Sequence, residues 1–299
     1  MSLAALIDHD AVGRVAAASV GPTGVLESAG PVDERFELAS VTKLLVACTT
    51  LVAVEDGTLD LDQPAGPEGA TLRHLLAHAS GLDPYTDRVL AEPATRRIYS
   101  NRGFELVGEL LVASTGLPLD VLVRESVLEP LAMVDTAMGS SAATGAVGTV
   151  ADLARLARDL MAPSPTVLAA STRDLAVTVA FPGLPGVLPG FGRHDDNSWG
   201  LGFEVRGTKS PHWSPDGASP RTFGHFGRSG SVWWVDPEVP VGLVSLAERP
   251  FGDWAPPLWR RLGDQVLERA TAGHLQPSRQ DGDTGADGRD VVVDPGVTR

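Results

Sequence analysis

Apolar residues alternate or run in short stretches near both ends of the chain, and recur at three- and four-residue spacing through its middle. The first stretches, Val15 to Val20 and Thr23 to Gly30, flank the turn signal Gly21-Pro22-Thr23-Gly24, and residues 13–29 are predicted to form a β-hairpin. From Ser40 the pattern changes to a helix of about 15 residues that stops at Gly57. Four further helices are predicted at 71–78, 103–114, 118–127 and 149–161, each with an apolar stripe and each bounded by Gly or Pro. Between Met161 and Trp199 the chain is rich in Pro and Gly and yields no clear period. Strand patterns return at 199–205, 221–227, 231–237 and 241–248, and a closing helix is predicted over 254–270.

Sheet at both ends bracketing helices in the middle predicts an α+β fold, an antiparallel sheet assembled from the two ends of the chain and flanked by helices. The expected domain covers 1–272, with a helical subdomain inserted at about 56–190. Beyond it, Gln276 to Arg299 loses periodicity and fills with Gly, Asp, Arg and Pro, so 273–299 is expected to be a disordered tail. The net charge of −14 and the absence of any Lys/Arg run exclude nucleic acid as an expected partner. The lone cysteine, Cys48, lies in an apolar stretch and is expected to be a small buried hydrophobe. No apolar run approaches the ~18 residues of a membrane span, and the first ten residues lack a basic n-region, so the sequence predicts a cytoplasmic protein with no membrane partner.

Lys43 and Lys209 are the two lysines in a chain that otherwise uses arginine for positive charge. Lys43 stands three residues after Ser40, on the same helix face and within contact reach. The bland alternative is an N-cap serine beside a solvated lysine. It fits poorly, because Lys43 leads directly into Leu44-Leu45-Val46-Ala47 on a helix that is apolar nearly all round, which implies burial. Desolvation lowers a lysine's pKa, so a buried Lys43 is able to take a proton from a serine hydroxyl or to hold a nearby phenol ionised. The helix N-terminus at Ser40 offers backbone N–H groups to an oxyanion. Two weaker features follow: Tyr99-Ser100-Asn101 just before the third helix, and His225-Phe226-Gly227 in a strand.

In this order and spacing, the motifs make the chain resemble the β-lactamase and penicillin-binding-protein superfamily of serine hydrolases, in the branch of class C β-lactamases, D-alanyl-D-alanine carboxypeptidases and family VIII carboxylesterases. Ser40-Val-Thr-Lys43 matches Ser-x-x-Lys, Tyr99-Ser-Asn101 matches Tyr-x-Asn, and His225-Phe226-Gly227 occupies the slot of Lys-Thr-Gly or His-Thr-Gly. Leu72 to Leu82 and the strand segments after Trp199 look like the family's connecting text. The resemblance implies a β-lactamase-like fold over about residues 10–272. It also implies a Ser40 nucleophile, general-base work shared by Lys43 and Tyr99, positioning by Asn101, and an oxyanion hole from the N–H groups of Ser40 and Arg228. Whether Lys43 or Tyr99 takes the first proton stays open at this level. His225, Phe226, Gly227 and Arg228 are the expected substrate-binding residues, with no metal or cofactor.

Phe226 departs from the threonine whose hydroxyl helps bind a substrate carboxylate in the family, and it is expected to enlarge an apolar wall, with Trp199, Trp233 or Trp234 as the candidates to extend it. The expected activity is therefore carboxylesterase-like, on a small-molecule ester or amide, with β-lactamase or D-alanyl-D-alanine carboxypeptidase activity as the alternative. A catalytically silent binding module is the alternative of another class. A Ser229/His225 hydrolase is disfavoured because no Gly-x-Ser-x-Gly elbow surrounds Ser229. His74 and His78 lack the intervening glutamate of a zinc protease and are expected to pack or anchor a loop, and His194-Asp195-Asp196-Asn197 is expected to be a solvated turn. No feature points to a protein partner.

Overall fold

The computed structural model describes residues 1–7 and 12–273. Its strands are β1 (Val15–Gly21), β2 (Gly24–Ala29), β3 (Phe36–Glu37), β4 (Val147–Gly148), β5 (Gly186–Leu188), β6 (Gly192–His194), β7 (Glu204–Val205), β8 (Phe223–Phe226), β9 (Val232–Asp236) and β10 (Val241–Ala247). The helices are α1 (Leu3–Leu6), α2 (Thr42–Glu55), α3 (Leu72–Leu76), α4 (Asn101–Thr115), α5 (Leu119–Val123), α6 (Val150–Met161), α7 (Ala170–Val177) and α8 (Ala255–Thr271). Six strands form one antiparallel sheet in the order β2-β1-β10-β9-β8-β7, so the first strand lies beside the last and the two ends of the fold meet at its centre. This is the α+β arrangement expected. The tail expected at 273–299 falls, beyond Gly273, outside the described residues.

The central strands are buried on both faces, and period-two geometry divides their side chains between two cores. Ala16, Ala18, Val20, Trp233, Val235, Val244 and Leu246 join the core built on α2, α4 and α6. Their alternates Val15, Ala17, Val232, Trp234, Leu243 and Ala247 join a second core with α1 and α8. Trp233 and Trp234 are thus core residues of opposite faces, and neither lines the cleft described below. Cys48 is buried in α2, as expected. No single helix among the described residues is long and apolar enough to cross a membrane.

Most sequence-predicted elements are present with shifted ends. Helix α3 stops at Leu76, so His78 is not on a helix; it sits beyond, at φ +53°. The segment 118–127 is α5 followed by a π-helical turn at Arg124–Leu128. The predicted strand at 199–205 shortens to Glu204–Val205, because Gly202, at φ +87°, turns the chain where a Cβ would meet the Ala47 Cβ at 2.2 Å. The Pro/Gly-rich stretch holds α7 and the β5–β6 hairpin, neither of which has a periodic signature. What shapes this stretch is the guanidinium of the buried Arg97, which donates to the carbonyls of Ala77, Ala180, Phe181 and Asn197.

Candidate active site

Ser40 lies in a single 3₁₀ turn, Ala39–Val41, at the head of α2. Ala39 has φ +45°, a conformation that strains a residue with a Cβ. The end of β8 presses against this turn. A Cβ on Gly227 would stand 2.5 Å from the Leu38 carbonyl oxygen and 3.2 Å from the Ala39 Cβ, so only glycine permits the approach. The following residue, Arg228, has a backbone N–H that meets no acceptor among the described residues.

Helix α4 supplies the facing wall. Ser100 caps it, its Oγ accepting from the Gly103 N–H at 3.0 Å and donating to the Asp83 carbonyl at 2.8 Å, which places Tyr99 and Asn101 on either side of the cap. The Tyr99 hydroxyl donates to Ser40 Oγ at 2.7 Å. Lys43 is fully buried; its Nζ stands 2.7 Å from Asn101 Oδ1, 2.9 Å from the Ala143 carbonyl and 3.4 Å from Ser40 Oγ. Burial pushes the Lys43 pKa down to about 7, partly opposed by the negative charge of Glu105. Desolvation raises the Tyr99 phenol well above its ordinary value, against the lowering effect of its bond to Ser40, so it stays protonated at neutral pH.

Glu105 and Ala143 belong to this arrangement and have no signature in the sequence. The Glu105 carboxylate accepts from the Ala142 N–H at 3.1 Å, the Ala143 N–H at 3.2 Å and the Ser141 hydroxyl, and so holds the loop whose carbonyl meets Lys43. The cue available was Glu105 at the fourth position after Asn101 in α4, but its loop partner lies 37 to 38 residues away.

Ser40, Tyr99, Asn101, His225, Phe226 and Arg228 line one cavity of about 550 Å³. Lys43 reaches this cavity only through Ser40 and Asn101, which its Nζ contacts. Trp199 and Glu204 line it too, as do Tyr85 and Phe251, and Leu188-Pro189-Gly190 at the tip of the β5–β6 hairpin overhangs it. The overhang falls in the stretch from Phe181 to Phe191 that lacked a readable pattern. Phe226 packs against Phe191, Phe251 and Trp259, and of these rings Phe226 and Phe251 face the cleft. A second groove of about 990 Å³ runs past Ala39 and shares Thr144 and Arg228 with the first.

The remaining candidates have structural employment. His74 Nδ1 accepts from the Thr71 N–H at 3.2 Å and its ring stacks on Phe181, while His78 Nδ1 accepts from the Ser100 N–H at 3.1 Å behind Tyr99. Among the described residues no group of three His, Cys, Asp or Glu is placed to hold a metal. The Ser229 hydroxyl pairs with Ser231 at 2.7 Å and His225 Nδ1 with the Phe226 carbonyl, so these two side chains form no Ser-His pair. Lys209, the other lysine, is also fully buried, 2.8 Å from Glu204, whose other partners are His212 at 2.9 Å and Trp213 at 2.7 Å.

The sequence matches the beta-lactamase family profile over residues 4–268. A crystal structure of a beta-lactamase from Mycobacterium bovis, Mb2281c, is 51% identical, with a TM-score of 0.85 over 87% of this chain and 96% of that one. EstCE1, described as a hydrolase with promiscuous acyltransferase activity, shares the fold at a TM-score of 0.73 and 18% identity, over 89% of this chain and 96% of that one. Among curated proteins, the D-alanyl-D-alanine-carboxypeptidase/endopeptidase AmpH of Escherichia coli K12 is 26% identical over 141 residues, covering 35% of this chain and 37% of that protein. Curated relatives of this kind are longer, and the chain spans about half of their length or less.

Proposed function

Since the chain belongs to the beta-lactamase family, whose members are serine hydrolases, we propose that it hydrolyses small esters through an acyl-enzyme on Ser40. The observation that carries this reading is the convergence on Ser40 Oγ of a phenol that stays protonated and an amine that is half neutral near pH 7. A neutral amine has two N–H bonds and one lone pair. The surroundings of Lys43 match that count: Asn101 Oδ1 and the Ala143 carbonyl accept its two N–H groups, and the lone pair faces the Ser40 hydroxyl. Lys43 is therefore the base that takes the first proton, and Tyr99 donates throughout to the oxygen it contacts.

In the first half-reaction the Ser40 O–H proton passes to Lys43 Nζ as Oγ bonds to the substrate carbonyl carbon. Negative charge on the carbonyl oxygen is met by the N–H groups of Ser40 and Arg228. Collapse breaks the bond to the leaving alcohol, which receives the proton held by Lys43, with the Tyr99 hydroxyl placed to hand it across. Water then repeats the sequence on the acyl-enzyme, and the acid leaves with Ser40 restored. Leu188, Phe226 and Phe251 give the acyl or alcohol portion an apolar surface, which favours uncharged esters.

The beta-lactamase reading has its own support in the 51% identical Mycobacterium bovis protein. Turnover of p-nitrophenyl acetate and butanoate beside a chromogenic cephalosporin, for the wild type and Ser40→Ala, separates the two. Ester cleavage that depends on Ser40 and exceeds cephalosporin turnover is the expected result. Faster cephalosporin turnover places the chain with the beta-lactamases, and ester cleavage that survives Ser40→Ala removes Ser40 as the nucleophile.

A further inference from the structure

His225 is 2% exposed yet lines the Ser40 cavity, between the rings of Tyr99 and Trp199 at centroid distances of 5.8 and 5.5 Å. Its Nδ1 lies 2.6 Å from the carbonyl oxygen of Phe226, an atom that only accepts, so Nδ1 carries the proton and donates. That fixes the tautomer. The lone pair is on Nε2, at the end of the ring away from the main chain, and Nε2 has no hydrogen-bond partner among the described residues.

We propose that His225 Nε2 accepts a hydrogen bond from the substrate, so that the enzyme selects esters carrying a hydroxyl or an amide N–H near the scissile carbonyl. The inference rests on the hydrolase reading above and names its substrate class. A buried acceptor without a donor is a standing cost to the protein, and a ligand that supplies the donor relieves it, whereas a methylated analogue leaves it in place. A carboxylate at this point would set acceptor against acceptor. Protonating His225 to meet one is opposed by burial and by the neighbouring Lys43, which hold its pKa down to about 3. Glu204 adds no donor for such an anion either, because its carboxylate is fully buried against Lys209, His212 and Trp213.

The test uses p-nitrophenyl esters in matched pairs: 3-hydroxybutanoate against 3-methoxybutanoate, and N-acetylglycine against N-acetylsarcosine, with plain butanoate and hemisuccinate alongside. All rates are corrected for spontaneous hydrolysis. The expected result is a kcat/KM advantage of about 10-fold for the donor-bearing member of at least one pair, with hemisuccinate the poorest substrate. Preference within the first pair identifies a hydroxyl and within the second an amide N–H. In His225→Leu the advantage falls to about 1, and in His225→Gln, which restores an acceptor oxygen, part of it returns. Wild-type ratios near 1 for both pairs overturn the inference without needing any variant, as does a ratio that His225→Leu leaves unchanged. Ser40-dependent cleavage of plain butanoate keeps the hydrolase reading standing in either case; its absence sinks both.

Discussion

At the residue scale, the pKa of Lys43 sets the pH dependence. A base whose neutral form is active and whose pKa is about 7 gives a kcat/KM that rises with pH through about 7 and levels above it, since each added unit of pH below the pKa raises the neutral fraction tenfold. Lys43→Arg, whose side chain does not titrate in this range, abolishes the limb and lowers kcat/KM by about 10³-fold or more. Tyr99→Phe separates the two candidate bases: activity falls by about 10²-fold, but the limb near pH 7 stays, because the group that titrates is still present. A limb that vanishes in Tyr99→Phe would make the phenol the base instead. Ser40 and Lys43 were legible because lysine is rare in this chain and this one is embedded in apolar sequence. Glu105 and Ala143 were not, because one acts through a loop and the other through a main-chain carbonyl, which carries no residue identity.

At the scale of elements, helix positions were readable from the three- and four-residue spacing, but the glycines that bring elements together were not. Gly202 shows why. The pattern WGLGFEV alternates like a strand, and only the contact with Ala47 on α2 reveals that the chain must turn there without a Cβ. Gly202→Ala combines a positive-φ penalty with overpacking against the helix that carries Ser40 and Lys43, a loss of about 3 kcal/mol that lowers Tm by roughly 5–10 °C in thermal melts. An unchanged Tm would mean that α2 yields easily, contrary to the burial of every residue from Thr42 to Leu51. The β5–β6 hairpin escaped prediction for a different reason. Its three-residue strands are too short for a period, and its placement depends on carbonyls gathered by Arg97 from three distant segments.

At the scale of the whole molecule, the two lysines define two ways of burying a cation. Lys43 has no carboxylate in contact and gives up its proton near neutrality, whereas Lys209 has the Glu204 carboxylate at 2.8 Å in a site closed to water. Removing one member of such a pair costs more than the pair contributes, because the other stays buried without its counter-charge. Glu204→Gln is expected to lower unfolding stability by about 3–5 kcal/mol in urea titrations, while Glu204→Gln/Lys209→Met recovers part of that loss. A single variant as stable as the wild type would show that Lys209 is neutral in the native protein.

The pairing of β1 with β10 joins Val15 to Ala247 and Val20 to Gly242 across the middle of the sheet. Ribosomal synthesis delivers these partners far apart in time. The edge of β1 that faces β10, and the turn at Ser40 that Gly227 presses against, have no mate until nearly the entire domain has been made. Contacts so distant along the chain carry a high closure entropy and slow folding. The nascent polypeptide therefore holds one edge of β1 open, with β2 alone beside it, for most of its synthesis, and Ser40 acquires its full surroundings only at the end.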